Sequence, residues 1–452
     1  MMQNPNIVLI NCDDLGYGDL GCYASRLNRT PALDRMAAGG MRLTDFYMAS
    51  PVCSPSRGGM LTGCYPPRIG FGDFEGEWVL FPGQGVGLNP NETTIATLLQ
   101  EKGYRTKIVG KWHCGDQPEF LPTRHGFEEY YGLPYSNDMG RQAMRTESPP
   151  LPLLHNETVI QQQPDQRSLT ERYVEQCTGF IHNHREEPFF LYLAHMHVHL
   201  PLYAPERFME QSRNGDYGAC VECVDWATNC ILYQLEQDGL TDNTLVIFTS
   251  DNGSRGDHGG SNLPLRGSKG TTWEGGQRVP CILYWPGSIS AGTVCGHILS
   301  SMDFLPTFAK LCGAVPRPGV PIDGIDFSAL LTNPDAPPVR EVFFYYRMND
   351  LEAVRERDWK LHISKAGEKV QLLYHLREDI GEENNLYGQY PDIVRRLEAL
   401  LEQFREDLGD AITGVPGKGR RPIGRVPNPR LLTKYDENHP YIIAMYDSED
   451  AG

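Results

Sequence analysis

Short apolar runs, rich in β-branched and aromatic residues, alternate in this chain with amphipathic segments of helical period. No other feature of the sequence restricts the fold as much. The alternation predicts an α/β protein with a large mixed, mostly parallel sheet flanked by helices. Strands are expected at Ile7–Asn11, Arg105–Gly110, Phe189–Ala194, Thr244–Ser250 and Cys281–Trp285. Helices are expected at Pro31–Ala38, Thr94–Lys102, Leu169–His182, Tyr217–Gln237 and Met302–Leu311. Every strand but the last runs into polar residues: NCDD, GKWH, AHMHVHLP and TSDNG. Ligands of open α/β sheets bind beyond the carboxyl ends of the strands, so these four ends are expected to meet at one site.

After about residue 335 the texture changes. EVFFYYRM, LEAVRERDWKLHI and VQLLYHLRED read as antiparallel strands, with an amphipathic helix over Asp392–Asp407 packed on them. Three parts result: residues 1–335 form the large domain that carries the site, residues 336–413 a smaller α+β unit with an antiparallel sheet, and residues 414–452 a Pro/Arg-rich tail. That tail cannot form its own core. It is expected to wrap along a subunit or to be partly mobile, and it offers a route to a homo-oligomer.

A net charge of −17 argues against nucleic acid as the main partner. An anionic ligand would need a locally positive site against that background. The first apolar run, NIVLI, is too short for a signal-peptide core, and no stretch approaches a membrane span, so the expectation is a cytoplasmic protein with no membrane contact. Twelve cysteines are scattered rather than patterned. Cys220 and Cys223 form a lone C-x-x-C on a predicted helix with no second pair and no nearby His, and free thiols explain it better than zinc.

Asp13 and Asp14 follow the first strand, and Asp251 and Asn252 end the fourth. Each pair alone reads equally well as a turn. Together they would supply the hard oxygens of a Ca²⁺ or Mg²⁺ site. Lys111 and His113 are two apart and expected on one strand face. His195, His197 and His199 alternate like a zinc ribbon, or are simply buried histidines. Lys269 lies in a Gly-rich loop. In SPVCSPSRGGMLTG, Cys53 and Arg57 stand at the start of an apparent helix, either as structural residues or as a nucleophile with a nearby cation.

These motifs in this order resemble the type I, formylglycine-dependent sulfatases of the alkaline phosphatase superfamily. CSPSR matches the family's C-x-P-x-R signature, and CDDLGYGDLG, VGKWH, HLPLYAP, TSDNG, GSKGTTWEGG and LYHLREDIGEENNL match its other motifs from about residue 5 to 405. KGTTWEGG and the spacing around GKWH place it nearest the arylsulfatase A and N-acetylgalactosamine-6-sulfatase branch.

The resemblance implies that a formylglycine-generating or radical maturation enzyme oxidises Cys53 to formylglycine. It implies a divalent cation, usually Ca²⁺ with Mg²⁺ as the other candidate, on Asp13, Asp14, Asp251, Asn252 and modified Cys53. Arg57, Lys111, His113, His199 and Lys269 match the diol-stabilising and sulfate-binding groups, with Lys111, His199 and Lys269 on the substrate and Asp251 as a base. His199 is preferred to its neighbours because it alone precedes the aligned proline. The implied reaction is hydrolysis of a small anionic sulfate ester, of an aryl, steroid or carbohydrate alcohol.

One departure is Cys64, where the family usually has arginine after LTG, which bears on recognition by the maturation enzyme. A cysteine-dependent phosphatase would need five residues between Cys and Arg, and here there are three. A phosphonate or phosphate ester hydrolase of the same superfamily stays open, as does a non-catalytic sulfate-binding protein should Cys53 remain a thiol. Phe71–Gly83 and Ser136–Gln166 are segments that could roof the site or be ordinary surface, and the sequon at Asn156 is expected to be fortuitous.

Overall fold

Ten strands form one mixed sheet: β1 Asn6–Cys12, β2 Met41–Leu43, β3 Arg105–Lys111, β4 Glu129–Leu133, β5 Pro152–His155, β6 Thr158–Gln162, β7 Phe189–Ala194, β8 Thr244–Ser250, β9 Cys281–Tyr284 and β10 Thr293–Cys295. The structure is a computed structural model and describes residues 4–143 and 145–441. Strand order is β10-β2-β9-β8-β1-β7-β3-β4-β5-β6. The central five, from β8 to β4, are parallel. Antiparallel strands flank them, including β9, the fifth strand expected from the sequence.

Every residue of β1, β7 and β8 is buried. Strands covered on both faces read as unbroken apolar runs. Ile7 and Leu9 face one core with α2 (Cys53–Thr62), α3 (Ile95–Gln100) and α6 (Phe304–Cys312). Val8 and Ile10 face the other, with α1 (Pro31–Gly39), α4 (Leu169–Asn183) and α5 (Gly215–Gln237). Residues 136–166 are therefore only partly loop, because β5 and β6 extend the sheet as a hairpin. Asn156 sits at its turn, where its side chain accepts the Tyr130 N–H at 2.9 Å.

The C-terminal sheet runs β11 Val342–Arg347, β12 Asp350–Glu356, β13 Trp359–Lys365 and β14 Glu368–His375, all antiparallel. LEAVRERDWKLHI is thus two strands, parted at Arg357, whose φ is +52°. Helix α7 (Pro391–Leu408) packs Leu397 and Leu401 on this sheet, and Phe404 stacks on Phe344 at 3.6 Å.

The described tail wraps its own chain. Gly424–Arg425 pairs with Val86–Gly87. Arg421 forks onto Glu92 at 2.8 Å and donates to Cys64 Sγ at 3.3 Å. A tail guanidinium therefore lies against the side chain that departs from the family pattern. Residues 442–452 of the tail lie outside the described residues.

Candidate active site

Strand register brings the polar ends together. Cys12 pairs with Ser250, Asn11 with Ala194, and Ala194 with Gly110, so the residues that follow all emerge at one edge. The Asp251 N–H donates to Cys12 O, Asp13 N–H to His197 O, and Leu15 N–H to Ser250 Oγ, stitching the three ends. A Cβ on Gly110 would lie 1.9 Å from Ala194 O, and its φ is +110°, so only glycine fits there. Beyond Lys111 the strand ends, and His113 takes φ +58°. The strand alternation that would put Lys111 and His113 on one face does not reach His113.

Cys53 is the first residue of α2, and Arg57 is one turn on. All ten residues of this helix are buried. Arg57 Nε donates to Asp251 Oδ2 at 2.8 Å, Nη2 to Asp13 Oδ2 at 2.9 Å, and Nη1 to Lys111 O at 2.9 Å. Its guanidinium thus binds the two strand ends through their carboxylates, a planar bidentate task that Lys could not copy. Lys111 Nζ pairs with Asp13 Oδ2 at 2.5 Å and donates to Ser136 Oγ at 3.1 Å. Lys269 Nζ pairs with Asp14 Oδ2 at 2.9 Å. Asn252 Nδ2 donates to Asp14 Oδ1 at 2.7 Å.

His199 Nδ1 lies 2.6 Å from Leu200 O, an acceptor, so Nδ1 carries the proton and Nε2 faces Asp14, 3.9 Å away. His113 Nε2 donates to Leu80 O at 2.9 Å, which leaves Nδ1 as a buried acceptor without a partner. Burial, then the Lys111 charge, pushes His113 well below the ordinary histidine value. Burial, then Lys269, also lowers His199. Burial raises Asp13, but Lys111, His199, Arg57 and Lys269 outweigh it and hold that carboxyl well down. Asp251 is raised, by burial and then by the Asp13 charge. Burial pushes the Cys53 thiol up to about 11, so as a thiol it is protonated at neutral pH.

The ligand atoms of Asp13, Cys53 and Asp251 lie within 4.8 Å of one another, and so do those of Asp13, Asp14 and His199. Asp13 Oδ1 and Asn252 Oδ1 are buried without a hydrogen-bond partner. Carboxylate and amide oxygens with unfilled lone pairs fit a hard divalent cation. His195 and His197 stay out of both groups: they stack on each other at 5.9 Å, fully buried, and form no zinc ribbon with His199. Cys220 and Cys223 are buried on α5, and all twelve cysteines, each among the described residues, are free.

Sequence reasoning missed Ser136, which bridges Lys111 and His199, because it opens a variable-looking segment. It also missed Leu80, whose carbonyl holds His113 and whose N–H donates to Ser54 Oγ at 3.1 Å. A main-chain role leaves no side-chain signal. Phe71–Gly83 is thereby anchored on the site: Phe71, Phe74 and Leu80 are core residues, while Trp78 is exposed.

The profile of the sulfatase family matches residues 5–314, and that of the N-sulphoglucosamine sulphohydrolase C-terminal region matches residues 268–407. Arylsulfatase A of Homo sapiens is 38% identical over 470 aligned positions, covering 92% of this chain and 90% of that protein. N-acetylgalactosamine-6-sulfatase of Mus musculus is 40% identical over 466 positions, covering 92% and 88%. The crystal structure of the PsFucS1 sulfatase from Pseudoalteromonas sp. superposes with a TM-score of 0.82 at 27% identity, covering 93% and 92% of the two chains. Among the described residues no helix is long and apolar enough to cross a membrane. With the carboxylates, cations and histidines of the strand ends in one buried cluster around Cys53, these matches show that the chain belongs to the type I sulfatases, in the arylsulfatase A and N-acetylgalactosamine-6-sulfatase branch, and is a sulfuric ester hydrolase.

Proposed function

We propose that this chain hydrolyses the sulfate monoester of an aryl, steroid or small carbohydrate alcohol with a formylglycine made from Cys53 by a separate maturation enzyme, in the cytoplasm. A divalent cation, Ca²⁺ or Mg²⁺, would be held by Asp13, Asp14, Asp251 and Asn252 beside residue 53. The observation that carries this reading is the placement of Cys53. Buried at a helix start, it lies within 4.8 Å of the Asp13 and Asp251 carboxylates, and Arg57, one turn on, bonds to both. The position suits a nucleophile held beside a cation.

Charge supports the same conclusion. Asp13, Asp14 and Asp251 are matched by Arg57, Lys111 and Lys269, a balance that offers an anion nothing. A divalent cation on those carboxylates would leave the cluster positive, as binding a sulfate ester requires in a chain this acidic. The α2 N-terminus adds N–H groups and its positive end.

Hydrated formylglycine at residue 53 would supply a geminal diol, with one hydroxyl as the nucleophile toward sulfur and a second whose deprotonation would allow sulfate to leave. Around it, Lys111 and Lys269 hold the sulfuryl oxygens, and Arg57 fixes Asp13 and Asp251. Asp251 takes the proton at residue 53. Lys269 Nζ donates the proton that the departing alcohol oxygen needs, and His199, whose proton sits on Nδ1 toward Leu200 O, lies beside it with Nε2 as an acceptor. His113, oriented by Leu80 O, has Nδ1 left to take the proton that releases sulfate.

The test is mass spectrometry across Cys53 in protein made with a maturation enzyme, with turnover of an aryl sulfate and an aryl phosphonate ester measured on the same sample. The expected result is the mass deficit of thiol-to-aldehyde conversion and preferential sulfate turnover, both absent in Cys53→Ala. An unmodified thiol in an active enzyme would overturn the formylglycine reading, and faster phosphonate turnover the sulfate one.

A further inference from the structure

After Asp251 and Asn252 the chain leaves the site at Gly253 and returns to it with Lys269. One side chain within that excursion, the buried Asn262, turns back on both of its arms. Asn262 Oδ1 accepts the Ser254 N–H at 2.9 Å, and Nδ2 donates to Ser254 O at 2.8 Å and to Gly267 O at 3.1 Å. Ser254 O also accepts the Lys269 N–H, at 3.0 Å. A single carboxamide therefore holds the outgoing arm, two residues past Asn252, against the returning arm, two residues before Lys269.

Asn262 itself stands on a fixed post. The Ser261 N–H donates to Asp19 Oδ1 at 2.9 Å, and Ser261 O accepts the Gly18 N–H at 2.8 Å, which ties it to the turn after Asp13 and Asp14. A Cβ on Gly275 would lie 3.0 Å from Asn262 Cβ and 2.5 Å from Gly267 O, so bare backbone closes around the carboxamide. Two of its three partners are carbonyls, which need a donor. An aspartate there would set a carboxylate against both.

We propose that Asn262 is a positioning residue for the reaction: it sets where Lys269 stands relative to Asp251 and Asn252, and so governs delivery of the proton to the departing alcohol. The inference rests on the sulfatase reading above, in which Lys269 Nζ makes that delivery. Asp251 is held without Asn262, by the register of β8, by its N–H on Cys12 O and by Arg57. The loop side has fewer anchors: the Gly270 N–H on Pro51 O at 2.9 Å and the Lys269–Asp14 pair. Loss of the carboxamide therefore falls on Lys269 and shifts it without releasing it.

The experiment measures kcat/KM of formylglycine-containing protein on phenyl sulfate and on 4-nitrophenyl sulfate. 4-Nitrophenolate leaves readily without a proton and phenolate does not, so the nitrophenyl-to-phenyl ratio reports proton delivery. Lys269→Met should raise that ratio about a hundredfold, the contribution of one general acid. Asn262→Ala and Asn262→Asp should each raise it about tenfold, since Lys269 is displaced but still tethered. Both rates come from one sample, so a lower yield of folded protein cancels, and Asn262→Ser is read in the same way if neither variant folds. Arg421→Ala, which loosens the tail and not this loop, should leave the ratio within twofold of wild type. An unchanged ratio in the Asn262 variants, while Lys269→Met raises it, overturns the inference and leaves the sulfatase reading standing. An equal rise in Arg421→Ala also overturns it, because the ratio would then follow stability alone. Lys269→Met without a rise would instead remove the proton donor from that reading, and the inference with it.

Discussion

Replacing Lys360 by methionine removes one buried ammonium and tests whether the C-terminal sheet holds the Lys269 loop in place. Lys360 lies on β13 with no solvent exposure. Its Nζ is 2.8 Å from Glu274 Oε1, 2.9 Å from Thr272 O and 3.1 Å from Glu382 Oε1. Thr272 and Glu274 follow Lys269 closely, and between them Trp273 is sandwiched by Arg266 and Lys365, each 3.8 Å from its ring. Removing one partner of a buried ion pair costs about 3–5 kcal/mol. Here both carboxylates keep other donors. Glu274 retains Tyr47, Tyr345 and Arg278, and Glu382 retains His362 and the Glu274 N–H. The loss should therefore sit at the low end, about 3 kcal/mol, because methionine fills much the same volume and leaves little cavity.

Equilibrium urea unfolding reads the stability, and kcat on an aryl sulfate reads the displacement of Lys269. The double variant Lys360→Met/Glu274→Gln removes the stranded charge as well. It should cost less than the two single changes added together, by at least about 1 kcal/mol. A single variant within about 0.5 kcal/mol of wild type, or strict additivity, would refute the idea that this pair clamps the loop.

His113 acts as a base only when neutral, and burial and Lys111 lower its pKa. Because that proton transfer follows departure of the alcohol, its limb belongs to kcat. The His113-dependent acid limb of kcat should fall well below pH 6.5, apart from the Asp251 limb, which burial and the Asp13 charge push upward, and a His113-dependent limb at or above 6.5 would count against the assignment. Chelation should lower both turnover and the melting temperature, with Ca²⁺ restoring them in wild type and not in Asp13→Asn; an unchanged melting curve would argue against a resident cation. Gly110→Ala drives a Cβ to 1.9 Å from Ala194 O, so soluble, fully active protein from this variant would show that the β3 end is not fixed as described. Arg421→Ala leaves Glu92 buried without its fork, a loss of about 2 kcal/mol by thermal or urea unfolding, and no loss would mean that the tail is only laid on the surface.

The sheet was legible where burial is two-sided. β7 is apolar or aromatic throughout, and β1 and β8 carry unbroken apolar runs over Ile7–Ile10 and Leu245–Phe248 between polar ends. The site was legible for a related reason: Asp13, Lys111 and Asp251 are the residues at which such runs stop, and parallel register then has to place them side by side. Reasoning by alternation failed at His113, because a chain leaving a strand through a glycine at φ +110° no longer keeps the two-residue period. Among the alternating histidines, periodicity is silent about which one faces the carboxylates. His199 alone does so, while His195 and His197 stack against each other.

What stayed hidden are partnerships between residues far apart in sequence. The sequence shows Arg57 only as a cation one helical turn from Cys53, whereas its three bonds go to Asp13, Asp251 and Lys111 O, so it ties the strand-end carboxylates together. The same holds for the clamp on the Lys269 loop. Glu274 and Lys360 are separated by a whole helix and a change of sheet, and each alone reads as a surface charge. Lys360 on β13 bonds Thr272 O and Glu274 just after Lys269, so a fragment ending near residue 335 would lack these contacts to the Lys269 loop even with every strand-end residue present.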